Sequence, residues 1–503
     1  MLSVNALILG SVGIGFLSSV AIAALFGLTR RLDAYYAALV VPQLFVVLCV
    51  DYLGKNFLPV FARARAHSVE TASEVTSTVV TIVGLVSAAL AVVLCLTSDW
   101  VFGVLLPGFN RADLSLVSTF FWIMAPAMVL RAVTTFHEYV CQHDEQYTRI
   151  TAILASQPIA NLVAIVGLGP FLGEYALAIG FTAGQLVTFV LMTREARYRY
   201  RPRLTIRSEW EKPIFTNSAI VMGSGLFVRT RGLIGNFLAS LVGEGAISAL
   251  SFGYRLIEPL ERTAFSGVRM LMFSRTARLA VEGNSRELVR LYRLGLNASF
   301  LVLTPLLWWL VLDSELVIGL VFQRGAFDAA MTGVVALTLA GFAPSVMFAG
   351  VNSVLSNAFY AMGRIAVPAL IMPIGTLVYL AIAPAIYKPL GVLGLAIAPT
   401  AVHVTVFLIL LFMLAKRVPE LGPWSVLGRI AAYIALGGVA LWLPQLVLSE
   451  VHFGEIVEAG MRLIAGVVIY FGVLAVARER TFMDAISYFR RVHPLLAARP
   501  AAS

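Results

Sequence analysis

Long apolar runs, broken at intervals by short polar or basic segments, set the rhythm of the chain. Crossing a bilayer as a helix takes about 20 mostly apolar residues. Runs of that kind lie near 4–27, 34–58, 76–97, 114–136, 150–170, 174–193, 214–242, 246–273, 294–312, 332–360, 365–387, 391–415, 428–447 and 459–478. The pattern predicts an all-α polytopic membrane protein with about fourteen transmembrane helices. Two of the runs are unusual. The seventh carries Arg229 and Arg231 near its middle, and the eighth carries Arg255, Glu258, Glu261, Arg262 and Arg269. An arginine at the centre of a membrane helix costs roughly 2.5–3.5 kcal/mol on insertion scales, so such residues call for a reason.

Composition agrees with the pattern. Of 503 residues, 59% are apolar and only 13% charged, where a soluble chain would carry about 25% charged. The start, MLSVNALILG, has no basic n-region and no clear cleavage site after its apolar run, so it is expected to remain as the first helix. Cys49, Cys95 and Cys141 have no metal-ligand spacing, and the six histidines are dispersed. No metal site, cofactor or ATP-binding motif is expected.

The net charge of +10 is concentrated in a few connections. Residues 194–212 hold six arginines and a lysine, and 274–293, 62–65, 415–417 and the tail from Arg478 are also basic. If the helices alternate, all of these lie on one side, and the acidic 449–458 segment lies on the other. The positive-inside rule then places both termini in the cytoplasm. Thr29-Arg30-Arg31 is the exception, since it falls on the outer side. The basic loops are expected to set topology and meet anionic lipids, not nucleic acid.

A weak repeat divides the chain. DAYYAALVVPQL (33–44) resembles LSFGYRLIEPLE (250–261), with Pro42 and Pro259 in register, and Phe61-Ala62-Arg63 echoes Phe273-Ser274-Arg275. The expected organisation is a six-helix lobe over 1–193, a basic linker over 194–213 and a second six-helix lobe over 214–417. Two further helices over 418–480 and a tail over 481–503 complete it. Repeats of this kind place a substrate site between the halves.

Ionisable residues in membrane helices usually line a pathway. Arg255, Glu258, Arg262, Ser266 and Arg269 follow steps of three and four and share a helical face. Asn217, Ser224 and Arg231 recur every seven, with Arg229 about 200° away from Arg231 at 100° per residue. Gln43, Val47, Asp51 and Lys55 recur every four, and Arg131 stands alone in the fourth run. Across the second, seventh and eighth runs, six basic residues (Lys55, Arg229, Arg231, Arg255, Arg262, Arg269) face three acidic ones (Asp51, Glu258, Glu261). A low-dielectric cavity of that sign attracts anions, and arginine suits phosphate. The plainer alternative is that these charges pair among themselves and fix helix packing.

Four segments carry a family likeness. LFGLTRRLDAYYAALVVPQLF (25–45), LPGF (106–109), FQRGAFDAA (322–330) and NAFYAMGRIAVP (357–368) resemble signatures of the MurJ/MviN family. These are lipid II flippases of the multidrug/oligosaccharidyl-lipid/polysaccharide exporter superfamily. The resemblance implies two pseudo-symmetric six-helix lobes in a V shape, plus two C-terminal helices that hold a polyprenyl tail. It implies a cationic central cavity and alternating access, by which a polyprenyl-diphosphate-linked saccharide crosses from the cytoplasmic to the periplasmic leaflet. It also carries Asp33, Arg255 and Glu258 over as family positions. The first predicted helix lacks the family's arginines, and Pro42-Gln43-Leu44 is followed by Phe45-Val46-Val47 rather than by arginines. The positive charge is therefore expected to have moved to Arg229 and Arg231.

The expected substrate-binding set is Arg255, Arg231, Arg229, Glu258, Arg262, Asp33, Asp51 and Lys55. The expected partners are the lipid-linked saccharide, membrane lipids and a coupling ion or the membrane potential, with the protein acting as a monomer. The alternatives are an exporter of another lipid-linked oligosaccharide, a small-molecule exporter and a non-transporting partner of cell-wall synthesis.

Overall fold

The computed structural model describes residues 2–47, 52–207, 209–263, 276, 279, 285–364, 366–447 and 454–484. It is helical throughout, with no strand among the described residues. The helices are α1 (Leu2–Phe26), α2 (Arg30–Val47), α3 (Lys55–His67), α4 (Val69–Leu96), α5 (Ser98–Leu105), α6 (Arg111–His143), α7 (Tyr147–Leu172), α8 (Tyr175–Glu195) and α9 (Glu211–Val242). They continue as α10 (Ala246–Thr263), α11 (Ser285–Leu312), α12 (Ser314–Phe322), α13 (Ala329–Ala361), α14 (Ala366–Arg417), α15 (Pro423–Val447) and α16 (Glu455–Val476).

Eleven helices among the described residues are long and apolar enough to cross a membrane. The difference from fourteen predicted runs lies in three places. The charged α9 and α10 are not among the eleven. The 52 residues of α14 cover two predicted runs, with non-helical backbone at Gly391 (φ 56°, ψ −132°). A straight helix of that length would measure roughly 78 Å at 1.5 Å per residue, far more than a bilayer. A side chain at Gly375 would meet Val402 at 2.9 Å and Val406 at 3.4 Å. The two arms of α14 thus pack against each other as a hairpin that reverses near Gly391. The short helices α3, α5 and α12 stand where no separate element is predicted.

The chain forms two compact units. The first comprises 1–252, 321–332 and 387–392; the second comprises 253–320, 333–386 and 393–503. In the first, Phe57, Phe61, Val75, Val79, Val83, Phe136, Val140 and Met192 form one apolar core, with Phe57 set edge-on to Phe136 at 5.2 Å. The antiparallel helices α7 and α8 approach closely where Gly180 and Gly184 face Asn161, Ala164 and Gln157. In the second unit, Trp308 of α11 lies against Gly437 and Gly438 of α15, and its indole N–H donates to the Ile434 carbonyl at 2.8 Å. Small residues at such crossings let membrane helices approach, since lipid supplies no hydrophobic drive for their association.

Two of the family-like segments have clear structural reasons within the first unit. The LPGF loop ends at Asn110, which forms a capping box with Asp113 at the start of α6. A Cβ on its Gly108 would fall 1.9 Å from the Ser240 carbonyl oxygen. In FQRGAFDAA, Gly325 has φ +61°, and a Cβ there would lie 2.3 Å from the Ala24 carbonyl oxygen. The Ala326 N–H donates to that same oxygen at 2.8 Å. Only glycine tolerates both the left-handed backbone and the close approach.

Candidate functional site

The eighth predicted run begins at a buried carboxylate from another helix. Asp33, fully buried on α2, accepts from the Gly245 N–H at 2.6 Å. It also accepts from the Ser248 N–H at 2.8 Å and the Ser248 hydroxyl at 2.7 Å. These donors lie at the N-terminus of α10, where backbone N–H groups have no intrahelical acceptors and the helix dipole favours negative charge. Asp33 therefore acts as a cap supplied in trans by a segment 212 residues earlier (245 minus 33). Gly245, at φ +79°, turns the chain so that its N–H points at the carboxylate.

From this fixed start α10 is helical to Thr263. At 100° per residue, Arg255 and Glu258 project about 60° from each other; the Arg262 side chain lies outside the described residues. Arg255 and Glu258 are half-buried. On the flank of α10 beyond Glu258, the Tyr254 hydroxyl donates to Glu261 at 3.3 Å, and the Ser345 hydroxyl donates to Glu261 at 3.0 Å. The Tyr254 ring stands edge-on to Phe342, 5.6 Å away. Glu261 is thus tied to α13, and Glu258 projects between this pair and Arg255. Ser266 and Arg269 lie outside the described residues.

On α9, Arg229 is exposed and Arg231 half-buried. The Arg231 Nε donates to the Val228 carbonyl of its own helix at 3.1 Å. The two glycines flanking Arg229 differ. Gly225 is closed by the Tyr52 ring, whose hydroxyl would sit 1.7 Å from a Cβ, whereas Gly232 faces open space. Tyr52 also takes part in a polar clasp: the Ser218 hydroxyl and the Asn56 amide both donate to its carbonyl, at 3.0 and 2.8 Å. Lys55 opens α3 and is exposed; Asp51, four residues earlier, lies outside the described residues. Arg131 pairs with Glu138 along α6 at 3.4 Å, both largely buried.

The remaining charges of the first unit sort to its two ends. Arg30 pairs with Asp113 at 3.5 Å, lies 4.7 Å over the Phe109 ring, and donates its backbone N–H to Glu244 at 3.0 Å. Arg31 meets Glu174 at 3.6 Å. At the opposite end, Glu74 takes Arg203 at 2.8 Å and Arg207 at 2.9 Å. Arg207 also bonds the fully buried Glu211 at 3.0 Å, and these bonds hold its guanidinium above the usual arginine range. Sequence reasoning marked Arg30-Arg31 as an exception to the charge rule but missed that three acids answer them. The acids were visible in the short loops, at Asp113, Glu174 and Glu244; the folded proximity was not.

Among the described residues no group of histidines, cysteines and carboxylates could hold a metal. The features in place are an arginine on α10, whose N-terminus is anchored by a buried acid, and two arginines on α9. Such groups suit an anionic headgroup with paired oxygens.

Comparison with known proteins gives these features a context. The family model described as "Lipid II flippase MurJ" matches residues 22–460. A Synechocystis protein named "Probable lipid II flippase MurJ" is 26% identical over 458 residues, covering 85% of this chain and 84% of that protein. A Burkholderia cenocepacia protein named "Lipid II flippase MurJ" is 25% identical over 464 residues, covering 89% and 88%. A solved structure described as "Lipid II flippase MurJ, inward closed conformation" superposes with a TM-score of 0.80 at 16% identity, over 97% of this chain and all of that one. The chain is a multi-pass membrane protein and belongs to the MurJ family of lipid II flippases.

Proposed function

We propose that the protein carries lipid II, or a close polyprenyl-diphosphate analogue, from the cytoplasmic to the periplasmic leaflet of the bacterial inner membrane for peptidoglycan synthesis. The observation that carries this reading is the family match over residues 22–460. The charged face of α10 supplies the chemistry. Arg255 binds diphosphate oxygens, and Glu258, one turn on, orients its guanidinium. Arg262, Arg231, Arg229 and Lys55 contribute further positive charge, and Asp51 completes the proposed substrate-binding set. Asp33 acts on this site only through the helix that it caps. The lobes divide as 1–193 and 214–417, with 418–480 following them. Both termini face the cytoplasm, and a coupling ion or the membrane potential drives transport by a monomer.

The direct test is depletion of the native lipid II flippase in a bacterial host, with rescue by this chain. Wild-type protein is expected to restore growth, and Arg255→Ala at equal membrane level is expected not to. Rescue by neither would point to another lipid-linked oligosaccharide, and full rescue by the variant would remove Arg255 from the site.

A further inference from the structure

Residues 197–204, RYRYRPRL, alternate arginine with aromatic, proline or leucine. They form part of the non-helical connection between α8 and α9, and apart from Arg203, which lines the larger of the two while pairing with Glu74, the alternation divides them between two adjoining cavities. Tyr198, Tyr200, Pro202 and Leu204 line a cavity of 860 Å³ together with Val80, Gly84 and Leu85 of α4, Val133 of α6 and Phe189 of α8. Arg197, Arg199 and Arg201 line a neighbouring cavity of 450 Å³ beside Glu70 and Glu74 at the N-terminal end of α4. Tyr198 borders both. The larger volume falls within the roughly 300–1,000 Å³ of small-molecule sites.

The segment is pinned in place rather than draped. The Tyr198 hydroxyl bonds His137 of α6 at 2.8 Å, and the other ring nitrogen of His137 bonds the Thr193 hydroxyl at 3.1 Å. The Tyr200 hydroxyl bonds Thr81 at 3.0 Å, and the Arg201 N–H donates to Ser77 at 3.1 Å. Burial and the neighbouring Tyr200 keep the Tyr198 phenol well above its ordinary range, so it stays neutral. Glu74 is already occupied by Arg203 and Arg207. Arg197, Arg199 and Arg201 are exposed and make no ion pair among the described residues.

We propose that these two cavities form one binding site for an anionic membrane phospholipid, with an acyl chain in the larger cavity and the headgroup phosphate on Arg197, Arg199 and Arg201. Three observations favour this occupant. The apolar volume is walled by three membrane helices, and its rim residues Leu85 (56% exposed) and Leu204 (65% exposed) present apolar surface outward. The cationic volume adjoins it at the end of α4, where a bilayer changes from hydrocarbon to headgroups. Arginine forks match phosphate oxygens, and basic residues at a membrane surface add about 1 kcal/mol each toward anionic lipid. A soluble phosphate would leave the apolar cavity unused, and an acidic protein segment would have no need of one open toward lipid.

The test uses the full chain in nanodiscs of phosphatidylcholine and phosphatidylglycerol, followed by native mass spectrometry of the released protein. Phosphatidylglycerol is expected to be retained over phosphatidylcholine. The triple exchange R197Q/R199Q/R201Q should lower that retention about tenfold, as should Gly84→Leu, which fills the apolar cavity. Both variants should keep the wild-type unfolding temperature within a few degrees. Glu70→Gln, which removes an opposing charge, should raise retention. Equal retention of the two lipids by wild type, or unchanged retention in both variants, overturns the proposal. So does displacement of phosphatidylglycerol by excess inorganic phosphate, which would mark a simple anion site. Displacement by undecaprenyl diphosphate would mark a site for the transported lipid, and overturns it equally.

Discussion

Replacing Asp33 with asparagine preserves its shape but turns an NH2 group toward a backbone N–H. The three donors on Asp33 come from Gly245 and Ser248, and one amide oxygen can satisfy only the Ser248 pair. The Gly245 N–H is left buried without an acceptor, at a cost of about 1–3 kcal/mol. Asp33→Asn is therefore expected to lower the unfolding temperature in detergent while the remaining folded fraction still binds substrate; an unchanged unfolding temperature would argue against the cap. Arg231 makes the contrasting case. Its Nε donates to the Val228 carbonyl of its own helix; if it also binds the substrate diphosphate as proposed, Arg231→Gln should weaken binding of a purified polyprenyl diphosphate by about one to two orders of magnitude, the worth of one charge-assisted hydrogen bond. Equal affinity would make Arg231 structural. The sequence pointed to Arg231 as a charge within an apolar run and to Asp33 through the family resemblance, and placed both in one substrate-binding set. It could not separate them, because the partners of Asp33 lie more than 200 residues away and nothing local signals a cap given in trans.

Apolar run length was enough to place the helices, but not to say where one helix ends and a kink begins. α14 shows why. Its two runs were separable in the sequence only by Tyr387-Lys388-Pro389-Leu390, and the structure carries helical backbone through those residues and reverses near Gly391. The reversal is recorded in tertiary contact, at Gly375 against Val402 and Val406. The short helices α3, α5 and α12 were illegible for a different reason: each is too brief to carry a membrane-length pattern. The FQRGAFDAA segment was legible as a signature but not as a mechanism. Its glycine closes on the Ala24 carbonyl with φ +61°, so Gly325→Ala imposes both backbone strain and a clash with main chain. A loss of about 1–3 kcal/mol is expected from overpacking and strain together, read as a lower unfolding temperature. Gly232→Ala, in open space, should leave it unchanged and serves as the control.

At the scale of the molecule, the basic connections predict which side of the membrane each loop faces, with Arg30-Arg31 as the exception. Reporter fusions within 196–207 and after Arg478 are expected to report the cytoplasm, and fusions at Gly173 and Gly243 the periplasm. Any reversal would overturn the proposed direction of transport. The Arg30-Arg31 pair obeys a different clock from the rest. Its ion-pair partners Asp113 and Glu174 and the backbone acceptor Glu244 are synthesised 83, 144 and 214 residues after Arg30, counted along the sequence. In the proposed topology, two arginines are therefore passed to the far side while the first hairpin enters the membrane, before any of these acids has been made. Insertion machinery senses lysine and arginine, not net charge, so nothing in this nascent hairpin favours its final orientation. That orientation must be set by the later basic segments, beginning with 62–65. Chains truncated before Arg63 should accordingly insert in mixed orientations, and chains extended past the 194–212 segment in one. The acids then act as latches: they do not choose the orientation, but each one that arrives makes the choice harder to undo.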